Sequence, residues 1–170
     1  MEELDGLSVR SLLRLHAQVH ETLRDRGVLR SANAPTADLA EFLFCEAFGW
    51  ELAGKSEKSF DAVGPDDRRY QIKGRRLHRR NLSRQLSAIR DFKGFDVLAG
   101  VLFDEDYGVQ RAALIPSAEV EARSTWVAHT NSWRFLLRES LWELDGVVDV
   151  TEPLRAALEG APSGPVSTRE

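Results

Sequence analysis

The chain reads as an α/β protein: a mixed sheet flanked by helices, in the order helix, three strands, helix, strand. Three observations carry this. Apolar residues recur at helical spacing at Leu12, Leu15, Val19 and Leu23, and a second apolar helical stretch spans Ala37 to Phe48. Two short runs, Ser59 to Ala62 and Arg69 to Lys73, alternate with the period of a strand on either side of Pro65-Asp66-Asp67, a turn sequence. Phe95 to Phe103 is almost continuously apolar, which suits a central strand covered on both faces.

The elements follow in order. Leu7 to Arg26 is expected as a helix, its apolar positions at helical spacing and Gly27 as its terminator. Thr36 is expected to cap a second helix from Ala37 to Phe48, which Gly49 ends. Trp50 to Ala53 then forms a short strand ahead of the hairpin. Asn81 is expected to cap a helix through Phe92 that buries Leu82, Leu86 and Ile89. The strand Phe95–Phe103 turns through Asp104-Glu105-Asp106-Tyr107-Gly108 into a strand from Val109 to Ile115. Farther on, Ser117 to Ala122 fits a short helix, Phe135 to Leu144 fits helix or strand, and Thr151 with Pro153 marks the start of a last helix. The helix before Gly27 and this last one are extra to the core. Residues 1–159 are expected as one domain, and 160–170, rich in Gly and Pro, as a disordered tail.

A chain of 170 residues with 42% hydrophobic content is long enough for one proper core. Its single cysteine, Cys45, excludes an intrachain disulfide framework and sits among apolar neighbours, where a packed, inert thiol is expected. No Cys/His zinc spacing, signal peptide or membrane-spanning run is present, so a cytoplasmic protein is expected. The net charge of -4 hides a segregation. From Arg68 to Lys93 ten Lys/Arg stand against one acid, Asp91, a local charge of +9; the remainder holds 13 basic and 26 acidic residues, or -13. A local basic block is the footprint of a polyanion-binding face.

Within the hairpin the polar residues Asp61, Gln71 and Lys73 share one face, since Gln71 and Lys73 are two apart on a strand. A carboxylate, a second oxygen ligand and a lysine are the groups that metal-assisted phosphodiester hydrolysis needs. Asp61-x9-Gln71-x-Lys73 resembles the motif of the PD-(D/E)xK nuclease superfamily in its Q-x-K form. The resemblance covers about Thr36 to Ile115 and implies a restriction endonuclease-like core of order αβββαβ. It implies that Asp61 ligates a Mg²⁺ ion, for which Mn²⁺ substitutes, with Gln71 as a neutral ligand, and that Lys73 positions the attacking water.

A neutral amide brings no charge, so such a site wants a further carboxylate. Glu41 is the candidate: it shares a helical stripe with Cys45 and Phe48, where a carboxylate needs a partner. In the resembled family a glutamate from the helix before the strands joins the site. Arg75, Arg76, His78, Arg79, Arg80 and Arg84 are expected to contact phosphates, with Lys55 and Lys58 gripping the backbone near the scissile bond. Together these imply an Mg²⁺-dependent endodeoxyribonuclease of restriction or other defence type, acting on DNA, with duplex cleavage implying a homodimer. Two other readings stay open: a non-catalytic nucleic-acid-binding protein on the same fold, favoured by the neutral Gln71, and an interaction protein whose arginine block takes an acidic partner.

Overall fold

The computed structural model describes residues 2–54 and 59–164. The chain begins with a single turn, α1 (Glu2–Asp5), and the long helix α2 (Val9–Asp25). Ser8 caps α2, its hydroxyl accepting from the Ser11 amide at 3.2 Å. Gly27, at φ 74°, turns the chain where the helix ends. The expected helix forms, but none of its residues is buried, and Leu12, Leu15 and Val19 of its apolar stripe stay 38–49% exposed. Of its residues only Leu23 packs against the core.

The next helix, α3 (Pro35–Phe48), starts two residues earlier than its sequence suggested. Pro35 occupies the first helical position, where its missing N–H is no loss, so Ala34 rather than Thr36 precedes the helix. Gly49 ends it in the left-handed conformation, φ 65°, and donates to the Cys45 carbonyl at 2.8 Å.

A six-stranded sheet follows, built from β1 (Glu51–Leu52), β2 (Ala62–Val63), β3 (Arg69–Arg76), β4 (Val97–Phe103) and β5 (Val109–Pro116), with a late edge strand. After β5 come α4 (Ser117–Arg123), a separate hairpin of β6 (Thr125–Val127) and β7 (Ser132–Arg134), the edge strand β8 (Val148–Asp149) and α5 (Thr151–Glu159). The sheet order is β1-β2-β3-β4-β5-β8, and only β3 and β4 run parallel. The molecule is thus mixed α/β with a mixed sheet. β4 is buried along its whole length, as its unbroken apolar run required. Val97, Ala99, Val101 and Phe103 join a cluster with α3 and α5. Leu98 and Leu102 face a second cluster formed by Leu86, Ile89, Phe92, Phe95, Phe135 and Leu137.

The expected helix from Asn81 to Phe92 is absent, and the crossover from β3 to β4 is extended and irregular. Two causes are visible. Asn81, Ser83 and Asp91 each accept from the backbone N–H two residues on, at 3.0, 3.3 and 3.1 Å, satisfying turns that compete with helix. The backbone then finds its partners across space. Leu86 N–H donates to Phe135 and Ile89 N–H to Trp133, while Trp133 N–H returns to Ile89 at 2.7 Å. Leu86, Ile89, Phe92 and Phe95 are buried at every third position, and Leu82 is left 72% exposed.

The last helix begins at Thr151 as expected. Of the expected disordered tail, residues 160–164 are described, with Ala161 and Pro162 half-buried; 165–170 lie outside the described residues. No helix among the described residues is long and apolar enough to cross a membrane.

Candidate active site

The pairing of β2 with β3 sets Ala62 opposite Tyr70 and Val63 opposite Arg69, so the next step of the same register places Asp61 opposite Gln71. The backbone continues the ladder there, with Asp61 N–H donating to the Tyr70 carbonyl at 2.8 Å. Burial alternates along β3: Tyr70 and Ile72 are buried on the α3 side, while Gln71 and Lys73 are half-exposed on the other. Asp61, Gln71 and Lys73 therefore line one cleft of about 540 Å³, together with Ser59, Ala88, Arg90 and Asp91.

Inside this cleft the Gln71 side-chain amide donates to Asp61 Oδ2, which also accepts from the Ile72 N–H at 2.7 Å. A carboxylate only accepts, so the NH₂ of Gln71 must face Asp61 and its carbonyl oxygen turns away. Asp61 Oδ1 takes part in neither bond. Asp61 is thus held on one oxygen by two donors and presents the other.

Glu41 approaches the same place from α3. It lines a second cleft, of about 390 Å³, with Arg30, Ser31, Ala53, Gly54, Phe60 and Asp61. The two clefts meet at Asp61. Burial pushes the Glu41 carboxyl up to about 7 from an ordinary 4.5, the charge of Asp61 pushes the same way, and Arg30 and Lys73 pull against them. Arg30 lies 3.4 Å from Glu41 Oε2. Two acids and a lysine therefore act on one another at this place.

Packing explains how α3 presents Glu41 to the hairpin. Phe44 and Phe48 of α3 stack with Trp50, and Trp50 stacks on Tyr70 of β3 with ring centroids 3.7 Å apart. Gly74 lets the helix approach: a Cβ there would lie 2.8 Å from the Thr36 carbonyl oxygen. Buried Asp38, which the sequence did not single out, accepts from the Arg30 and Ser31 amides at 2.8 Å each. This tie holds the turn from which Arg30 reaches Glu41. Cys45 is half-buried, its thiol pushed up to about 11 first by burial and then by Glu41, in keeping with an inert role.

The basic block divides into bound and free members. Arg76 donates from Nε to the Glu105 carbonyl at 2.9 Å and lies over the Tyr107 ring, and Arg84 pairs with Glu139 at 2.6 Å. Arg75 Nε donates to the Ser83 carbonyl at 3.1 Å. His78 and Asn81 close a tight turn through two backbone hydrogen bonds, placing Arg79 and Arg80 at its exposed tip. Arg79 comes no nearer than 3.9 Å to Glu105. Lys55 and Lys58 lie outside the described residues. Arg90 and Asp91 were missed as cleft residues because a helix through Phe92 would have set them on a solvent face.

No family model matches this chain, and no curated protein sequence matches it. Among the described residues no group of three His, Cys, Asp or Glu is close enough to hold a metal.

Proposed function

We propose that this chain is a metal-dependent DNA endonuclease built on a restriction endonuclease-like core, in which α3, β1, β2, β3, β4 and β5 form the frame and the second helix is replaced by the extended crossover. The observation that carries the reading is the register of β2 against β3, which puts Asp61 opposite Gln71 and Lys73 in one cleft, with Glu41 converging from α3. The donor set fits a divalent cation. Asp61 and Glu41 are two partly buried acids whose mutual repulsion a cation would relieve, and Gln71 has a carbonyl oxygen to offer once its amide turns. When bound, Mg²⁺ would supply charge neutralisation and an acidified water. Lys73 orients that water and offsets charge developing on the phosphate, while Arg79 and Arg80 hold the strand by its neighbouring phosphates. Cleavage of both strands of a duplex by a chain with one site calls for a second copy.

The test is incubation of supercoiled plasmid with Mg²⁺ or Mn²⁺. The wild type should nick it, and Asp61→Ala and Lys73→Ala should each lower the rate at least 100-fold while DNA affinity changes little. Nicking by Asp61→Ala at the wild-type rate would remove the site. One feature favours a second reading, a binding protein without catalysis: Gln71 already satisfies Asp61 without a cation. Wild-type binding of DNA with no cleavage in either metal would select it.

A further inference from the structure

We infer a second phosphate-binding cleft, lined by Arg123, Arg134 and Arg138, that holds the DNA backbone a few nucleotides from the proposed site of cleavage. The inference rests on the nucleic-acid reading above. Three elements converge to build the cleft. Arg123 is the last residue of α4, Arg134 ends β7 opposite Thr125 at the start of β6, and Arg138 immediately precedes the 3₁₀ turn Glu139–Glu143. They enclose about 240 Å³ with Thr125, Ser140 and Leu136.

Charge decides what such a cleft takes. Arg123 is paired with Glu119. Arg134 and Arg138 are exposed, and their side chains make no hydrogen bond or ion pair among the described residues. The cleft keeps two uncompensated guanidinium groups, each with several donors in a planar fork, and the hydroxyls of Thr125 and Ser140 add neutral donors. That set matches a phosphodiester, which carries one charge and accepts on two free oxygens.

The cleft is also tied to the site by the backbone. Leu136, in its wall, is bridged to Gln85, and Gln85, Ala88 and Asp91 recur every third residue on the exposed side of the crossover. Ala88 and Asp91 line the cleft of Asp61. From Gln85 to Ala88 an extended chain covers about 10 Å. Along one strand of duplex this is roughly three nucleotides.

The experiment measures binding of a labelled 30-base-pair duplex across a salt series in the Asp61→Ala background, where nothing is cut. Each phosphate neutralised contributes a slope of about 0.9 in log affinity against log salt, so Arg134→Gln/Arg138→Gln, which frees the one phosphate the cleft holds, should lower the slope by about 0.9. In the active chain the same pair should raise KM for DNA and leave kcat unchanged. The conservative Arg134→Lys/Arg138→Lys should keep most of the slope. An unchanged slope with Arg134→Gln/Arg138→Gln would overturn the inference and leave the nuclease reading standing, whereas a background protein that binds no duplex at low salt would overturn both. Inorganic phosphate provides the remaining arm: if it raises the melting temperature of the wild type but not of the Gln pair, and the pair keeps full DNA affinity, the cleft serves a small anion and the inference fails.

Discussion

Glu41 is the residue whose chemistry is most exposed to test, because its surroundings favour the proton. In the unfolded chain it titrates near 4.5, and in the folded protein near 7. Below the lower value both states hold the proton, and its contribution to stability is complete. As pH rises between the two values the unfolded chain ionises first, so this contribution is lost progressively up to about 7. Glu41→Gln removes the titration. With EDTA present, urea unfolding should find Glu41→Gln progressively more stable relative to wild type between about pH 5 and about pH 8. A difference that stays flat across that range would mean Glu41 ionises as an ordinary surface glutamate. Gln71 allows the complementary experiment. Gln71→Glu replaces the amide that donates to Asp61 with a second acceptor. Without metal the variant should lose about 1–3 kcal/mol to the broken hydrogen bond and the repulsion of two carboxylates. Added Mg²⁺ should then raise its melting temperature more than it raises that of the wild type, since a ligand that binds only the folded state stabilises in proportion to its affinity. Equal shifts in both proteins would place the cation away from Gln71.

At the scale of elements, what the sequence made legible and what it hid have separate physical causes. β3 and β4 were readable because a period of two and an unbroken apolar run are written in neighbouring residues, and Gln71 and Lys73 came with β3, whereas the first strand of the hairpin, expected over Ser59 to Ala62, is confined to Ala62–Val63. The crossover was not readable. Leu82, Leu86 and Ile89 fit a helical stripe, but the partner that decides the matter lies near Phe135, some fifty residues along the chain, where local spacing says nothing. Asp38 and Arg30 were hidden for a similar reason, since their bonds join a turn to a helix face that only folding brings together. The two descriptions of the crossover differ in what they require of Leu82. In a helix it would share the buried stripe with Leu86, whereas here Leu82 is exposed and Leu86 is buried. Leu86→Ala should therefore cost about 2–5 kcal/mol and Leu82→Ala less than about 0.5 kcal/mol by urea unfolding. Comparable losses at the two positions would restore the helix.

Across the whole molecule the largest departure from a closed surface is α2. Of the large apolar side chains left exposed, Leu4, Val9, Leu12, Leu13, Leu15 and Val19 come from the first two helices and Leu7 from the turn between them. On a helical projection Leu15, Val19, Leu12, Leu23, His16, Val9, His20 and Leu13 form one continuous face, and Arg10, Arg14, Glu21 and Asp25 fall on the opposite one. No Asp, Glu, Lys or Arg of α2 sits on the apolar face to repel an identical helix, and an antiparallel pair centred on His16 would set Val9 against Leu23 and Leu13 against Val19. Such a pair relates two copies by a twofold axis, the symmetry that cleavage of both strands of a duplex requires. Sedimentation should find the wild type dimeric at concentrations of roughly tens of micromolar, since a short helical interface of about 1,000 Å² falls at the small, weakly associating end of the size range. Leu12→Lys/Val19→Lys should be monomeric with an unchanged far-ultraviolet spectrum, because both positions are exposed in the single chain. The consequence for cleavage separates the dimer from a passive association. A paired enzyme cuts both strands in one encounter, so the wild type should convert supercoiled plasmid to linear product with little open circle, while the monomeric variant should accumulate open circle. A wild type that remains monomeric, or a lysine variant that still linearises plasmid in one encounter, would exclude α2 as the surface that joins the two sites.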